Sequence, residues 1–219
     1  MDELCIVIPM KCPTHAKQRL AGCLSADERQ QLAISLYSNT LSFFRQHFPQ
    51  LQVMVISEST AMLSLATAYG AHGLREIGKG GLNEALWQAC QWVKSAGFTH
   101  QLIVPSDISL LDKQEFNQLL AAAEQYQVVI AKAKDGGTNA LLTSPPDAIT
   151  FHYGNCSAAK HLQAAQQQGV SCSQLLFANL SQDIDQGDDL ERAIEQQPER
   201  FFSWRECSGK IGVKEGQYA

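Results

Sequence analysis

Leu102-Ile103-Val104-Pro105-Ser106-Asp107 is the stretch on which the reading of this chain turns. A continuous apolar run of this kind marks a β-strand covered on both faces, as in a parallel sheet flanked by helices. The run closes on a carboxylate, which is costly to bury without a partner. Much later, Asp183-Ile184-Asp185 follows the apolar stretch 174–180, and two aspartates two apart in extended chain point the same way. Between them lies Gly136-Gly137-Thr138-Asn139, which reads as a polar turn outside the core. In open α/β sheets ligands bind beyond the carboxyl ends of the strands. Three carboxylates gathered there suit a hard divalent cation and the phosphates it carries.

The rest of the chain supports such a sheet. Leu4–Pro9, Val53–Ile56, His100–Pro105, Val128–Ala131, Asn139–Leu142 and Gln174–Leu180 read as strands, with Gly73–Ile77 a short strand at an edge. Helical patterns lie between them. One opens at Ser25-Ala26-Asp27-Glu28, a capping box, and runs through Leu32, Leu36, Phe43 and Phe44. Others cover Thr60–Tyr69, a segment opening at Leu82, Asp112–Gln125, Ser157–Gln168 and Asp188–Gln196. Alternation of this kind predicts a three-layer, mostly parallel α/β sheet with right-handed crossovers. The expected organisation is one domain over residues 1–198, followed by a tail over 199–219. In that tail Phe201, Phe202 and Trp204 suggest docking, while Ser208 to Ala219 reads as loose.

Composition narrows the function classes. The chain has 219 residues, 45% of them hydrophobic, enough for a sizeable core without disulfides. A net charge of −5 and the lack of any Lys/Arg run argue against a nucleic-acid partner. Seven scattered cysteines include no C-x-x-C pair, so neither a zinc ribbon nor a redox motif is supported. Met1-Asp2-Glu3 and the short apolar run behind it do not make a signal peptide. No segment approaches the roughly 20 apolar residues of a membrane helix, so no membrane partner is expected and the expected location is the cytoplasm.

Two loops could handle anions. Lys11, Lys17 and Arg19 follow the first strand, and phosphates need such compensation; a solvated surface loop is the competing reading. Gly78-Lys79-Gly80-Gly81 leads into a helix whose free N–H groups could meet an anion, yet it matches neither the phosphate-loop nor the dinucleotide pattern. His15, His152 and His161 show no zinc spacing.

Taken in order, these segments resemble the CofC/FbiD family of guanylyltransferases of coenzyme F420 biosynthesis. The resemblance rests on Val7–Lys11, Ala16–Leu20, Gly81–Leu86, Pro105-Ser106-Asp107, Gly137–Leu141, Phe151–Ser157 with His161, and Asp183–Asp185 with Asp189-Leu190. It implies a Rossmann-like nucleotidyltransferase fold of glycosyltransferase-A type. It also implies transfer of guanylate from GTP to a small phosphorylated three-carbon acid, with release of pyrophosphate. The acid would be phosphoenolpyruvate, 2-phospho-L-lactate or 3-phospho-D-glycerate. Carried over by motif, Asp107, Asp183 and Asp185 would hold Mg²⁺, and Thr138, Gly154 and Ser157 would hold the acid. Lys11, Lys17, Arg19, Gly81 and Asn83 would face the nucleotide, with Lys17 and Asp107 at the reaction centre; the resemblance is compatible with a homodimer. Three features depart from the pattern: Cys12-Pro13-Thr14-His15 in the first loop, Ile108-Ser109 where a second proline is usual, and Cys156 in place of a common glycine. They leave the acid open. Competing readings are a molybdenum-cofactor or sugar nucleotidyltransferase, a glycosyltransferase of the same sheet class, and a nucleotide-binding regulator without turnover.

Overall fold

In a computed structural model, residues 3–78, 80–201 and 204 are described. Among them seven strands form one sheet. They are β1 (Leu4–Pro9), β2 (Gln52–Ser57), β3 (His72–Arg75), β4 (His100–Ile103), β5 (Val128–Lys132), β6 (Thr138–Thr143) and β7 (Cys172–Leu175), in the order β3-β2-β1-β4-β6-β5-β7. All pairings are parallel except those of β6, which runs against both β4 and β5. Helices α1 (Ala26–His47), α2 (Thr60–Ala68), α3 (Leu82–Ser95), α4 (Lys113–Ala122), α5 (Ser157–Gln168) and α6 (Gly187–Gln196) cover the faces. No described helix is long and apolar enough to cross a membrane.

Central strands are buried throughout because both faces meet helices. Even-numbered β1 residues, Leu4, Ile6 and Ile8, join a cluster with Tyr37, Phe44 and Phe116. Cys5 and Val7 enter the opposite layer with Leu86, Ala89 and Val93 of α3. Local chemistry sets the helix starts. Ser25 Oγ accepts from Glu28 N–H while the Glu28 carboxylate accepts from Ser25 N–H, closing the expected capping box. Asp112 caps α4 by accepting from the N–H groups of Gln114 and Glu115.

Two expectations need correction. The seventh strand is Cys172–Leu175, and the apolar run beyond it is a connection: Leu176 is 73% exposed, whereas Phe177 and Leu180 plug the core from a turn. Burial of single side chains, without alternation along the chain, is what separates such a run from a strand. Thr138 and Asn139 open β6 and are buried, so the polar turn ends at Gly137. Their polar groups tolerate burial because each is hydrogen-bonded.

A third, smaller cluster matters for the site. Leu20 and Leu24 of the first loop, Leu32 and Leu36 of α1, Ile184, Leu190 and Ile194 of the carboxyl-terminal segment, and Phe201 and Trp204 all pack together. Phe201 and Trp204 are buried in this cluster; Phe202 and 208–219 lie outside the described residues.

Candidate active site

The three aspartates of the sequence reading converge. Asp107 follows β4, and an antiparallel bridge between Ile108 and Asp183 ties its segment to the later one. Ile184 N–H donates to Asp107 O at 3.1 Å, and Ser109 donates through both N–H and Oγ to Gln182 O. Ile184 is fully buried in the third cluster. Chain alternation then turns Asp183 and Asp185 to the other side, where one oxygen from each of the three carboxylates lies within 4.8 Å of the others.

Lys17 holds this cluster together. Its ammonium donates to Asp107 Oδ2 at 2.7 Å and to Asp185 Oδ1 at 3.1 Å, with only 7% of the side chain exposed. Burial alone would lower its pKa, but attraction and hydrogen bonds from the two carboxylates raise it overall. The residue sits in a left-handed conformation, φ 53°, which turns the chain sharply between two short 3-10 turns. Arg19 Nη1 lies 3.8 Å from Asp185 Oδ2, but its side chain is 68% exposed.

Among the described residues Asp183 forms no ion pair. Burial, and then the charge of Asp107, push its carboxyl up to about 6, partly offset by the hydrogen bond from Asn139 Nδ2 at 3.2 Å. Such crowding of oxygens in a half-buried site demands positive charge. The donor set is three carboxylates with no sulfur or imidazole, which fits Mg²⁺.

A cleft of about 360 Å³ opens in front of this centre, lined by Lys11, Cys12, His15, Lys17, Asp107 and Asp185 among others. A smaller one of about 100 Å³ opens on the far flank of Asp183 and Asp185, rimmed by Arg19, Lys134 and Arg192. A groove of about 420 Å³ at the opposite, amino ends of β2 and β3 holds none of the three aspartates. Chemistry, more than size, singles out the 360 Å³ cleft.

Thr138, Gly154 and Ser157 also come together, in a buried hydrogen-bonded knot. Ser157 Oγ donates to Thr138 Oγ1 at 3.0 Å, and Ser157 N–H donates to Gly154 O. Gly154 has φ 122°, a conformation that favours glycine. His161, fully buried, completes the knot. Its Nε2 accepts from His152 N–H at 2.9 Å, so the ring proton is on Nδ1 and is donated to Thr138 Oγ1 at 3.1 Å. Burial, and then the charge of His152, lower the His161 pKa to about 4, so the ring is neutral. Thr138 Oγ1 thus accepts twice, and its own O–H hydrogen stays free for an outside acceptor.

At the start of α3, Gly81 has φ 80°. The Asn83 side chain pairs with the Tyr153 backbone, accepting from its N–H at 2.8 Å and donating to its carbonyl at 3.2 Å. That amide therefore ties the first turn of α3 to the loop at Tyr153, and this helix start faces the cleft through Leu82.

Two residues escaped the sequence reading. Asn139 holds Asp183 from 44 positions away. Glu115 is a buried carboxylate on α4 that accepts from Asn179 N–H, Asn179 Nδ2 and Leu180 N–H, fixing the turn before Asp183. A glutamate beside Phe116 and Leu119 on the inner face of a predicted helix was the available signal.

Comparison with known proteins agrees with this geometry. Residues 4–197 match the family model described as guanylyl transferase CofC like. The chain belongs to the CofC family. It is 43% identical over 187 residues to the 3-phospho-D-glycerate guanylyltransferase of Colwellia psychrerythraea, covering 85% of this chain and 89% of the relative. It is 39% identical to the phosphoenolpyruvate guanylyltransferase of Roseiflexus castenholzii, covering 86% of each chain. It is 36% identical to the 2-phospho-L-lactate guanylyltransferase of Methanothermobacter thermautotrophicus, covering 88% and 84%. Among solved structures, a protein assigned as a nucleotide-diphospho-sugar transferase from Desulfovibrio desulfuricans G20 superposes with TM-score 0.72 at 18% identity, covering 96% and 94%. This last likeness supports the fold alone: the nucleotidyltransferase, glycosyltransferase-A type expected for a CofC protein.

Proposed function

We propose that this CofC-family chain transfers guanylate from GTP to a small phosphorylated three-carbon acid in the cytoplasm, releasing pyrophosphate, as a step of coenzyme F420 biosynthesis. The observation that carries the reading is the convergence of Asp107, Asp183 and Asp185 with Lys17 at the mouth of a cleft of about 360 Å³. A phosphate oxygen of the acid attacks the α-phosphorus of GTP, and the bond from that phosphorus to the bridging oxygen breaks as pyrophosphate leaves. The attacking phosphate has a second pKa near ~6 and arrives ionised, so the site needs no general base. That agrees with a centre built of carboxylates and lysine.

Asp107, Asp183 and Asp185 would hold Mg²⁺, whose chemistry is to neutralise charge and stabilise the forming and leaving oxygens. Lys17 supplies a buried positive charge at the same place, and Lys11 and Arg19 add exposed ones along the nucleotide's path. The Gly81–Asn83 turn would close one side of the nucleotide. At the acid side, the Thr138 hydroxyl would donate to a substrate oxygen, with Gly154 and Ser157 shaping the turn beside it. The three relatives differ in their acid; 3-phospho-D-glycerate is the first to test because that relative is 43% identical.

The test is pyrophosphate release from GTP with each acid in turn, with and without Mg²⁺. One acid should give Mg²⁺-dependent turnover, and Asp107→Asn should abolish it while leaving the melting curve of a folded protein. Full activity in that variant would exclude the assignment of the metal.

A further inference from the structure

Resting on the proposed guanylyl transfer, we infer that Glu58 and Lys11 read the guanine edge of the nucleotide, Glu58 accepting from its N1–H and 2-amino group and Lys11 donating to its O6. Both residues line the 360 Å³ cleft, together with the aspartate–lysine centre. Their placement follows from the sheet. β1 and β2 are parallel and in register, with Pro9 opposite Ile56, and Met10 N–H continues the ladder to Ile56 O at 2.9 Å. Two residues further on, Lys11 and Glu58 leave adjacent strand ends side by side.

The two opposite charges nevertheless form no ion pair, and the Glu58 carboxylate accepts no hydrogen bond among the described residues. Glu58 is exposed and Lys11 is exposed, so both can turn to a ligand. The third charged group here is Glu76, half-buried after β3, its N–H bonded to Ser57 O. Burial, then Glu58, raises its pKa, and Lys11 lowers it, which places all three charges in one neighbourhood.

The distance also suits a nucleotide. β2 and β4 flank β1, so the strands that lead to Glu58 and Asp107 run two strand spacings apart, roughly 10 Å. That is the scale separating a nucleotide's α-phosphate from the far edge of its base. Leu82, Pro9 and Pro105 supply apolar walls between the two ends. Guanine presents two donors beside one acceptor, which a carboxylate and an ammonium complement; adenine presents an acceptor and a donor in the reverse order and meets like with like. The acidic centre therefore handles phosphate at β4 while the pair at β1 and β2 selects the base.

Glu58→Gln, with Glu58→Ala as a second variant, tests this using GTP, inosine triphosphate (guanine without the 2-amino group) and ATP, each with the acid that the native protein uses. The native protein should prefer GTP to inosine triphosphate. Glu58→Gln should lose on the order of tenfold to a hundredfold in kcat/KM for GTP, less for inosine triphosphate, shrinking the GTP preference. Melting midpoints should not move. An equal loss on all three nucleotides, or unchanged ratios, would overturn the inference while leaving guanylyl transfer intact. Absence of turnover with GTP in the native protein would instead overturn the proposed function itself.

Discussion

The two ends of the site solve opposite problems. At the proposed metal end, Asp107, Asp183 and Asp185 crowd together, and buried Lys17 offsets part of their charge, with Arg19 3.8 Å from Asp185 on the exposed side. At the proposed acid end, Thr138, Ser157 and His161 carry no charge and are joined by hydrogen bonds that meet at Thr138 Oγ1. The first is incomplete without added positive charge; the second is complete and spares one hydroxyl donor. In the proposed reaction electrostatic work would be concentrated at the phosphorus, and the acid would be met by fixed dipoles that need no reorganisation.

The largest expected effect comes from removing the internal cation. Lys17→Met should lower kcat/KM by about a hundredfold or more, read as pyrophosphate release, because two carboxylates then lose their partner. Wild-type turnover would show that the metal end does not depend on it.

Next comes the scaffold. Glu115→Ala leaves the N–H groups of Asn179 and Leu180 without their acceptor, and should destabilise the fold by about 2–4 kcal/mol in a urea titration. A change under about 0.5 kcal/mol would show that the turn before Asp183 is held by other contacts.

The comparison has a sharper test in pH, because the two ends titrate with opposite sign. Asp183 has a folded pKa of about 6 against its usual 3.8, so its contribution to stability is full below 3.8 and is lost as pH rises through 6. His161 has a folded pKa of about 4 against its usual 6.5, so its contribution is full above 6.5 and is lost as pH falls towards 4. Each shift corresponds to up to about 3 kcal/mol, less what solvent screens. Without divalent cations, Asp183→Asn should gain on the native protein in melting temperature as pH rises from 4 to 7. His161→Asn should start lower but lose less on acidification. Parallel curves for native protein and both variants would contradict the assignment.

The smallest effect is expected at Asn139→Ala, which removes one hydrogen bond to Asp183 and should reduce activity by about fivefold to tenfold, recoverable with more Mg²⁺. No recovery would place Asn139 outside the support of the metal end.

Strands such as Leu4–Pro9 were legible because a two-sided parallel strand writes itself as an unbroken apolar run. The direction of β6 was not, since parallel and antiparallel strands share the same local pattern, and only the pairings of Leu142 with Leu102 and Val129 reveal it. The Gln174–Leu180 run failed as a strand signal beyond Leu175 because its later apolar residues bury singly from a turn. Asp107, Asp183, Asp185 and Lys17 were singled out because their segments match a family; Asp107 also follows a strand, whereas Asp183 and Asp185 lie in the connection beyond β7. Asn139 and Glu115 were missed because each acts on a partner 44 to 65 positions away, a separation no local period encodes.

The third cluster has a practical meaning. Leu20, just past Lys17, and Ile184, between two of the aspartates, share one pocket of core with Phe201 and Trp204, while Gln197 and Arg200 both donate to the carbonyl of Ser109, two residues beyond Asp107. The last described turn is therefore a keystone for three separate pieces of the site. Trimming the chain at Gln197, or wedging an affinity tag against that turn, would loosen Lys17, Asp107 and Asp185 at once, with every one of those residues still present in the sequence.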